Sequence, residues 1–314
     1  MRKALRRRRR AFSRALARAG KRALDAMLGS SAALLLGLLR RTDPDRTADF
    51  AGKLMRALGP WLPEHRTGRE NLRAAFPEKT AAEIETILAG VWDNLGRVAA
   101  EFAHLDRLWQ HDFDRPDAGR IEFAPRAVEL FVRLRDDGKP ALVFAAHLAN
   151  WEMPPLAATA YGLPAAVVYR RPNLGAVADA VIRLRAGSMG ELVPSDRATP
   201  VKVAGLLDRG YHVGMLVDQH FNRGVDVTFF GRRCKANPLL PRLARHFDCP
   251  VHGVRIIRLP RGRFRGEITE AIELPRDAAG RIDVAASMQT ITSVVEGWIR
   301  EHPEQWLWLH RRWR

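Results

Sequence analysis

The chain has 314 residues, of which 46% are hydrophobic and 28% charged, so it can bury one sizeable core and is not disordered throughout. Its formal net charge is +17, but eleven of the 52 basic residues lie within residues 1–22, which contain no acid. This asymmetry excludes a whole domain shaped to a nucleic-acid duplex and indicates an N-terminal arm attracted to phosphate headgroups or nucleic acid. Two cysteines are too few for a disulfide framework and favour a reduced, cytosol-facing body.

Residues 26–39 form an uncharged, leucine-rich stretch directly after the basic arm. A membrane-spanning helix needs roughly 20 apolar residues, and shorter stretches are more often interfacial. We therefore predict a basic arm and membrane-anchor helix over residues 1–40. Arg40 and Arg41 follow the stretch without a small-residue cleavage site, which favours attachment without export. The alternative is a buried first helix with a solvated basic tail.

Residues 41–110 are predicted to form a helical lead-in. Pro44 suits a first helical turn, and Thr80 with Glu83 has the spacing of a capping box. The apolar residues that follow Glu83 recur at helical spacing. This segment therefore leads into the main domain rather than forming part of its sheet.

Residues 111–314 alternate short apolar runs with helical segments, which predicts an α/β fold: an αβα sandwich with a largely parallel sheet. Active sites in such sheets lie beyond the carboxyl ends of the strands. Strands are predicted at 141–146, 165–169, 212–217, 251–257 and 266–271. Helices are predicted at 124–136, 175–186, 200–209, 238–246 and 284–301.

The stretch from the first of these strands into the next helix carries the most informative chemistry. His147 follows the strand, Asn150 can cap the helix, and Glu152 lies one turn away. A carboxylate at this spacing can hold one imidazole tautomer and raise the basicity of the other nitrogen. Such a base can deprotonate a hydroxyl for attack on a thioester without a protein nucleophile. The alternative is a strand-end histidine that only hydrogen-bonds a loop.

His147 and Glu152 resemble the H-x4-D/E box of the glycerolipid acyltransferase superfamily, and the form His-Leu-Ala-Asn-Trp-Glu resembles the box of the bacterial lipid A late acyltransferases, the lauroyl and myristoyl transferases. The resemblance covers nearly the whole chain after the anchor. Further blocks similar to the family are Asn71–Pro77, Trp92–Arg97 with Glu101, Tyr169–Asn173, Val217–Gln219, Phe229–Gly231 and Trp306–Trp313.

The family resemblance implies roles for individual residues. His147 would be the general base and Glu152 its charge-relay partner. Substrate-binding roles are expected for Asn150, Arg170, Arg171, Asp218 and Gln219, with a surface arginine pair or structural loop contacts as the alternatives. The C-terminal tryptophans are predicted to pack in the core rather than to form an interfacial belt.

The resemblance implies an acyl carrier protein thioester as donor, a lipid A precursor as acceptor, the cytoplasmic face of the cell inner membrane as location, and no metal or organic cofactor. The stretch 232–238 is more basic than in the family, which leaves the acceptor open, and a phosphatidylinositol mannoside acylated from acyl-CoA is the alternative. Two other classes, a nucleic-acid-binding protein and a membrane protein without catalysis, are disfavoured by the near-balanced body and by the intact box. We expect no nucleic acid as a partner.

Overall fold

The computed structural model describes residues 31, 34, 37–109, 119–170, 182–183 and 185–313. Ser31, Leu34 and residues 37–39 are helical, whereas the rest of the predicted anchor lies outside the described residues. Among the described residues, no helix combines the length and the apolar character needed to cross a membrane. The anchor and the division at residues 40 and 110 therefore stay predictions.

The lead-in is helical, as predicted. Helices α1 (Pro44–Leu58), α2 (Pro63–Ala75), α3 (Ala81–Glu101) and α4 (Leu105–Leu108) are joined by 3₁₀ turns at Gly59–Trp61 and Phe102–His104. Asp43 caps α1 by accepting a hydrogen bond from the backbone N–H of Arg46. The predicted capping box of Thr80 and Glu83 opens α3, satisfying amide groups that the first helical turn leaves without partners.

The α/β region contains a seven-stranded, largely parallel sheet, which confirms the predicted fold class. The strand order is β1-β9-β8-β2-β5-β3-β4, and only the β8–β9 pair is antiparallel. These strands are β1 (Ile121–Phe123), β2 (Leu142–Ala145), β3 (Ala165–Tyr169), β4 (Glu191–Pro194), β5 (His212–Leu216), β8 (Val251–Arg258) and β9 (Phe264–Ile268).

Helices pack on both faces of this sheet. The helices are α5 (Pro125–Asp136), α6 (Met153–Ala160), α7 (Thr199–Leu207), α8 (Leu239–Phe247) and α9 (Val284–Glu301). Leu142 and Phe144 of β2 join the core with residues of α7, α8 and α9, and Phe144 stacks on Trp298 with ring centroids 5.5 Å apart. The alternate residues Val143 and Ala145 face a cavity on the opposite side, lined by α5 and α6.

The five predicted strands and four of the predicted helices are confirmed with small shifts in their ends; the predicted 266–271 strand begins earlier, at Phe264. Most of the predicted 175–186 helix lies outside the described residues, although residues 182–183 and 185–186 are helical. Strands β1 and β4 were not predicted. Neither was the separate antiparallel hairpin of β6 (Val225–Phe229) and β7 (Arg232–Ala236).

The C-terminal tryptophans pack in the core, as predicted. Trp306 and Trp308 are buried and stand 4.6 Å apart between ring centroids in an edge-to-face arrangement. Helices α2 and α3 contribute to the same core as the sheet, with Leu72 and Trp92 packed in that cluster. The lead-in and the α/β region therefore share one continuous hydrophobic core.

Candidate active site

His147 and Asp218 meet at the carboxyl edge of the sheet because their strands are parallel neighbours in register. Each residue of β2 pairs with the residue 71 positions later in β5, as in Leu142 with Val213. The same offset relates His147 to Asp218, which follow the two strands directly. The sheet thus brings together two polar side chains that are far apart in sequence.

The carboxylate of Asp218 fixes His147 through two hydrogen bonds. Nδ1 of His147 donates to Oδ1 of Asp218 at 2.8 Å, and the backbone N–H of His147 donates to Oδ2 at 3.0 Å. The indole Nε1 of Trp306 donates to the same Oδ2 at 2.7 Å. With the proton on Nδ1, Nε2 carries the lone pair that can act as a base. The side-chain amide of Gln219 donates a hydrogen bond to this Nε2 at 3.3 Å.

The environment strengthens this base. Burial disfavours the imidazolium, but the charge of Asp218 and its hydrogen bond outweigh burial and raise the pKa of His147 above its usual value. Glu152 adds to this increase through its charge, whereas Arg185 opposes it. Burial also favours the neutral acid of Asp218, yet the charge of His147 and its hydrogen bonds keep the pKa of that carboxyl well below its usual range. Asp218 is therefore an anion behind the imidazole.

Glu152 occupies a different position from the one predicted. Its carboxylate accepts hydrogen bonds from both Nε and Nη2 of Arg185, the former at 2.8 Å, and from Nε1 of Trp151 at 3.1 Å. The predicted hydrogen bond to Nδ1 of His147 is made by Asp218 instead. Glu152 is the N-cap residue of α6, and its two carboxylate oxygens are taken by Arg185 and Trp151. The carboxylate acts on His147 through its charge rather than by direct contact.

The loop between His147 and Glu152 has an unusual backbone. Ala149 is buried and has a φ of 45°, in the left-handed region that a side chain disfavours. Its backbone N–H donates to the carbonyl oxygen of Gln305 at 2.9 Å, and its own carbonyl oxygen accepts from Nδ2 of Asn94 at 3.2 Å. Contacts from distant segments therefore hold a conformation that the loop alone would not favour.

A buried ion pair supports the same loop from behind. Arg258 of β8 binds the carboxylate of Glu101 in a bidentate arrangement, at 2.5 and 2.9 Å, and its Nε donates to Oδ1 of Asn94 at 2.8 Å. Nδ2 of Asn150 donates to the same Glu101 carboxylate at 2.9 Å. Because Glu101 is buried, Arg258 is partly buried and the two charges are paired, these bonds tie the loop to α3 and β8 with a defined geometry.

A cavity of about 700 Å³ opens at His147 and extends along the face of the sheet. His147, Glu152, Arg170, Arg185 and Gln219 line its end at the carboxyl edge. The remainder is mostly apolar and reaches the amino ends of the strands. The deeper lining includes Val143, Val167, Gly214, Val254 and Ile256 from the sheet and Phe131, Leu134, Ala157 and Ala158 from α5 and α6. This shape suits a long apolar ligand whose reactive end meets Nε2 of His147.

The structure brings only part of the predicted substrate-binding set to the cavity. Arg170 and Gln219 line it, with Arg170 exposed at the end of β3. Asn150 is completely buried and bonded to Glu101, so it orders the loop and does not face the cavity. Asp218 is likewise inaccessible, because its carboxylate is occupied by His147 and Trp306. Arg171 lies outside the described residues.

Sequence reasoning missed Arg185, which pairs with Glu152, and Trp306, which holds Asp218. Neither belongs to the H-x4-D/E box, and each approaches from a remote segment. Trp306 carried a signal, since the indole N–H of a buried tryptophan needs an acceptor. Arg185 had no readable signal, because an arginine on a helix is usually solvated.

Comparison with known protein families identifies the family of the chain. The profile described as bacterial lipid A biosynthesis acyltransferase matches residues 21–314. A search of curated proteins finds no match to the chain. The profile covers the helical lead-in, the sheet with His147 and Asp218, and the C-terminal segment that supports them. The chain therefore belongs to the bacterial lipid A biosynthesis acyltransferase family and is an acyltransferase enzyme.

Proposed function

We propose that this enzyme transfers a fatty acyl chain from an acyl carrier protein thioester to a hydroxyl group of a lipid A precursor, with His147 as general base. The observation that carries the proposal is the imidazole at the mouth of the apolar cavity, with Nδ1 held by Asp218 at 2.8 Å and Nε2 directed to Gln219. We propose that the enzyme acts at the cytoplasmic face of the inner membrane, where both substrates would be accessible.

In the proposed reaction, Nε2 of His147 accepts the proton of the acceptor hydroxyl while its oxygen attacks the thioester carbonyl carbon. The tetrahedral intermediate then expels the thiolate as the carbon–sulfur bond breaks. The imidazolium returns its proton to the thiolate, so the products are an ester and a free thiol. Asp218 stabilises the transient imidazolium in the same way as the acid of a catalytic triad, without itself accepting a proton.

The carboxylate of Glu152 contributes a second negative charge near the imidazole, and its hydrogen bonds to Arg185 hold it at the cavity mouth. Arg170, exposed on the same rim, supports binding of an anion, such as a phosphate of the acceptor or the oxygen of the tetrahedral intermediate. Asn150, Asp218 and the Glu101 pair have positioning roles in this proposal.

Acyl transfer by membranes that contain the wild-type chain tests the proposal. Labelled acyl carrier protein thioesters and a tetraacylated lipid A precursor bearing its inner sugars are the substrates. The variants are His147→Ala and Glu152→Ala, each compared with wild type for expression and thermal unfolding. Loss of a general base lowers the rate by about 10²-fold or more, and we expect that loss for His147→Ala.

Because Glu152 acts at a distance, we expect Glu152→Ala to retain more activity than His147→Ala. A His147→Ala enzyme as active as wild type would exclude His147 as the base. Absence of product with every thioester would exclude the lipid A precursor, and the mannoside acceptor with acyl-CoA would be tested next. Product formation with acyl-CoA but not with acyl carrier protein thioesters would identify acyl-CoA as the donor.

A further inference from the structure

Helix α1 presents its large apolar residues outwards. Phe50, Leu54 and Leu58 are 67%, 42% and 50% exposed, and their spacing of four residues places them in one stripe along the helix. Trp61, three residues further on in the 3₁₀ turn, is 86% exposed, and Leu62 is 40% exposed. Together these five side chains form the outer apolar face.

The opposite side of α1 is built from small residues that allow close packing on α3. Ala48 and Gly52 are buried. A Cβ atom added to Gly52 would lie 2.9 Å from the Asp93 carboxylate, and one added to Gly96 of α3 would lie 2.3 Å from the carbonyl oxygen of Ala51. A surface helix in water normally buries its large apolar residues and exposes its small and polar ones. Helix α1 instead exposes three of its four large apolar residues, and only Met55 is partly buried against the core.

A clustered set of exposed apolar side chains indicates an interaction surface rather than ordinary surface variation. The charges around the outer apolar face identify its partner. Arg46 and Lys53 are exposed beside the stripe on α1, and the chain carries eleven basic residues and no acid within residues 1–22. Tryptophan and basic residues beside an apolar stripe are the features of a helix that lies in the interface of an anionic bilayer.

We propose that the outer apolar face docks on the surface of an anionic lipid bilayer, with α1 parallel to the membrane plane. Phe50, Leu54 and Leu58 would enter the boundary between headgroups and acyl chains, and Trp61 would lie at headgroup depth. This contact is separate from the predicted anchor at residues 26–39 and would add a defined orientation of the body on the membrane.

The N-terminal end of α1 is linked to the wall of the active-site cavity. Arg40, which precedes α1, pairs with Asp106 of α4 at 2.7 Å and donates to the carbonyl oxygen of Ala103. Trp109, immediately after α4, lines the cavity. A bilayer that extends under this end of α1 would bring a lipid acceptor close to this wall; that consequence rests on the proposed function, whereas the docking itself does not.

A fluorescent probe at position 61 tests the contact in the full-length chain. The substitution Trp61→Cys provides an exposed thiol for an environment-sensitive label, while the native Cys234 and Cys249 are buried. Val201→Cys is the matched control, since Val201 is an exposed apolar residue, at 76%, on α7. Vesicles of phosphatidylethanolamine and phosphatidylglycerol are added, and emission and iodide quenching are measured.

We expect vesicles to shift the emission of the position-61 probe to the blue and to protect it severalfold from iodide, while the Val201→Cys probe is unchanged. An unchanged position-61 probe on protein that sediments with vesicles would overturn the proposal, since another surface would then hold the membrane. Failure of the chain to bind vesicles would also overturn it. A position-61 probe already shielded before vesicles are added would show that the chain itself, or a second copy, covers the face.

A double substitution, Phe50→Gln with Leu54→Gln, should lower the vesicle partition coefficient about tenfold, because two side chains lose apolar burial. Val201→Gln should leave the partition coefficient unchanged. The inactive His147→Ala variant should dock as wild type does. Docking without acyl transfer would therefore count against the proposed function alone, and acyl transfer without docking would count against this inference alone.

Discussion

At the residue scale, two carboxylates act on the His147 imidazole in different ways. Asp218 touches Nδ1 and fixes the tautomer, whereas Glu152 is bound to Arg185 and acts through its charge. Both favour the imidazolium, and together they overcome the opposing effect of burial. The H-x4-D/E spacing therefore marks a shared electrostatic environment rather than a direct hydrogen bond in this protein.

Replacing Asp218 by asparagine should change the pH dependence of acyl transfer. The active form of His147 is neutral, so wild-type activity is lost as the pH falls through the raised pKa of the imidazole. Asp218→Asn removes the charge that raises this pKa and leaves burial, which lowers it, so the acidic limb of kcat/KM should move to lower pH. The plateau rate should fall by about 10²-fold or more, because the tautomer is no longer fixed. A pH–rate profile measures both effects.

Glu152→Gln provides the comparison for that profile. It removes a smaller contribution to the imidazole pKa and leaves Nδ1 bound to Asp218, so the acidic limb should shift in the same direction with a smaller loss of plateau rate. An Asp218→Asn profile that keeps the wild-type acidic limb would contradict the assignment of that limb to His147. A larger effect from Glu152→Gln than from Asp218→Asn would reverse the roles of the two carboxylates.

The sequence predicted His147 as the base and Asp218 as a substrate-binding residue, but not the contact between them. Each polar residue follows an apolar strand, which is readable locally. That β2 and β5 are neighbours is a property of strand order, and strand order does not follow from the local pattern of either strand. The contact of Glu152 with Arg185 was also unpredictable, since the two residues are 33 positions apart and meet only through the tertiary arrangement.

At the element scale, the hairpin β6–β7 carried a signal that was overlooked. Val225, Val227 and Phe229 alternate with polar residues, which is the period of a half-buried strand. Phe230 and Gly231 both have positive φ, of 51° and 67°, as the central residues of a tight hairpin turn require. Strands β1 and β4, with three and four residues, are too short to show a period.

The cavity floor along β5 leads to a prediction about chain length. Gly214 lines the cavity, and a Cβ atom added there has one neighbour within 4 Å among the described residues, the carbonyl oxygen of Ala166 at 3.8 Å. Gly214→Val therefore fits without a backbone clash and fills space that we assign to the acyl chain. We expect the preferred thioester to become shorter, with kcat/KM for the longest accepted chain falling by about 10-fold or more.

Competition between thioesters of different chain length measures that preference. Gly205→Val on α7 is the control, since a Cβ atom there meets no atom of the described part of the chain within 4 Å and Gly205 does not line the cavity. A Gly214→Val enzyme with the wild-type chain-length profile and undiminished rates would show that the acyl chain lies elsewhere. A uniform loss for all chain lengths would indicate damage to the sheet rather than a shorter pocket.

At the scale of the whole molecule, the C-terminal segment joins the parts that build the site. Gln305 binds the loop after His147, and the indole of Trp306 binds Asp218. Farther along, Nη1 of Arg312 donates to the carbonyl oxygen of Lys235, and Nε1 of Trp313 donates to that of Phe229. The last residues therefore connect the lead-in, the sheet edge and the β6–β7 hairpin, which explains why the shared core extends across all three.

Asn71 on α2 tests how this segment is held. Its Nδ2 donates to the backbone carbonyl oxygens of Trp308 and His310 at 2.8 and 2.9 Å. Asn71→Ala leaves these two carbonyl groups without that donor in a buried setting, so the free energy of unfolding should fall by about 1–3 kcal/mol. Chemical denaturation measures this change, with Asn222→Ala, an exposed loop substitution, as the control expected within about 0.5 kcal/mol of wild type.

The rate of acyl transfer by Asn71→Ala shows whether the Asn71 hydrogen bonds only stabilise the C-terminal segment or also position the catalytic residues. Because Asn71 binds beyond Trp306, the hydrogen bond from the Trp306 indole to Asp218 remains available in the folded Asn71→Ala protein. We therefore expect kcat per folded molecule to stay within about threefold of wild type at a temperature well below unfolding. Unchanged stability would mean that aromatic packing alone anchors the segment. A large loss of kcat in a fully folded variant would mean that the Asn71 hydrogen bonds set the geometry of Asp218.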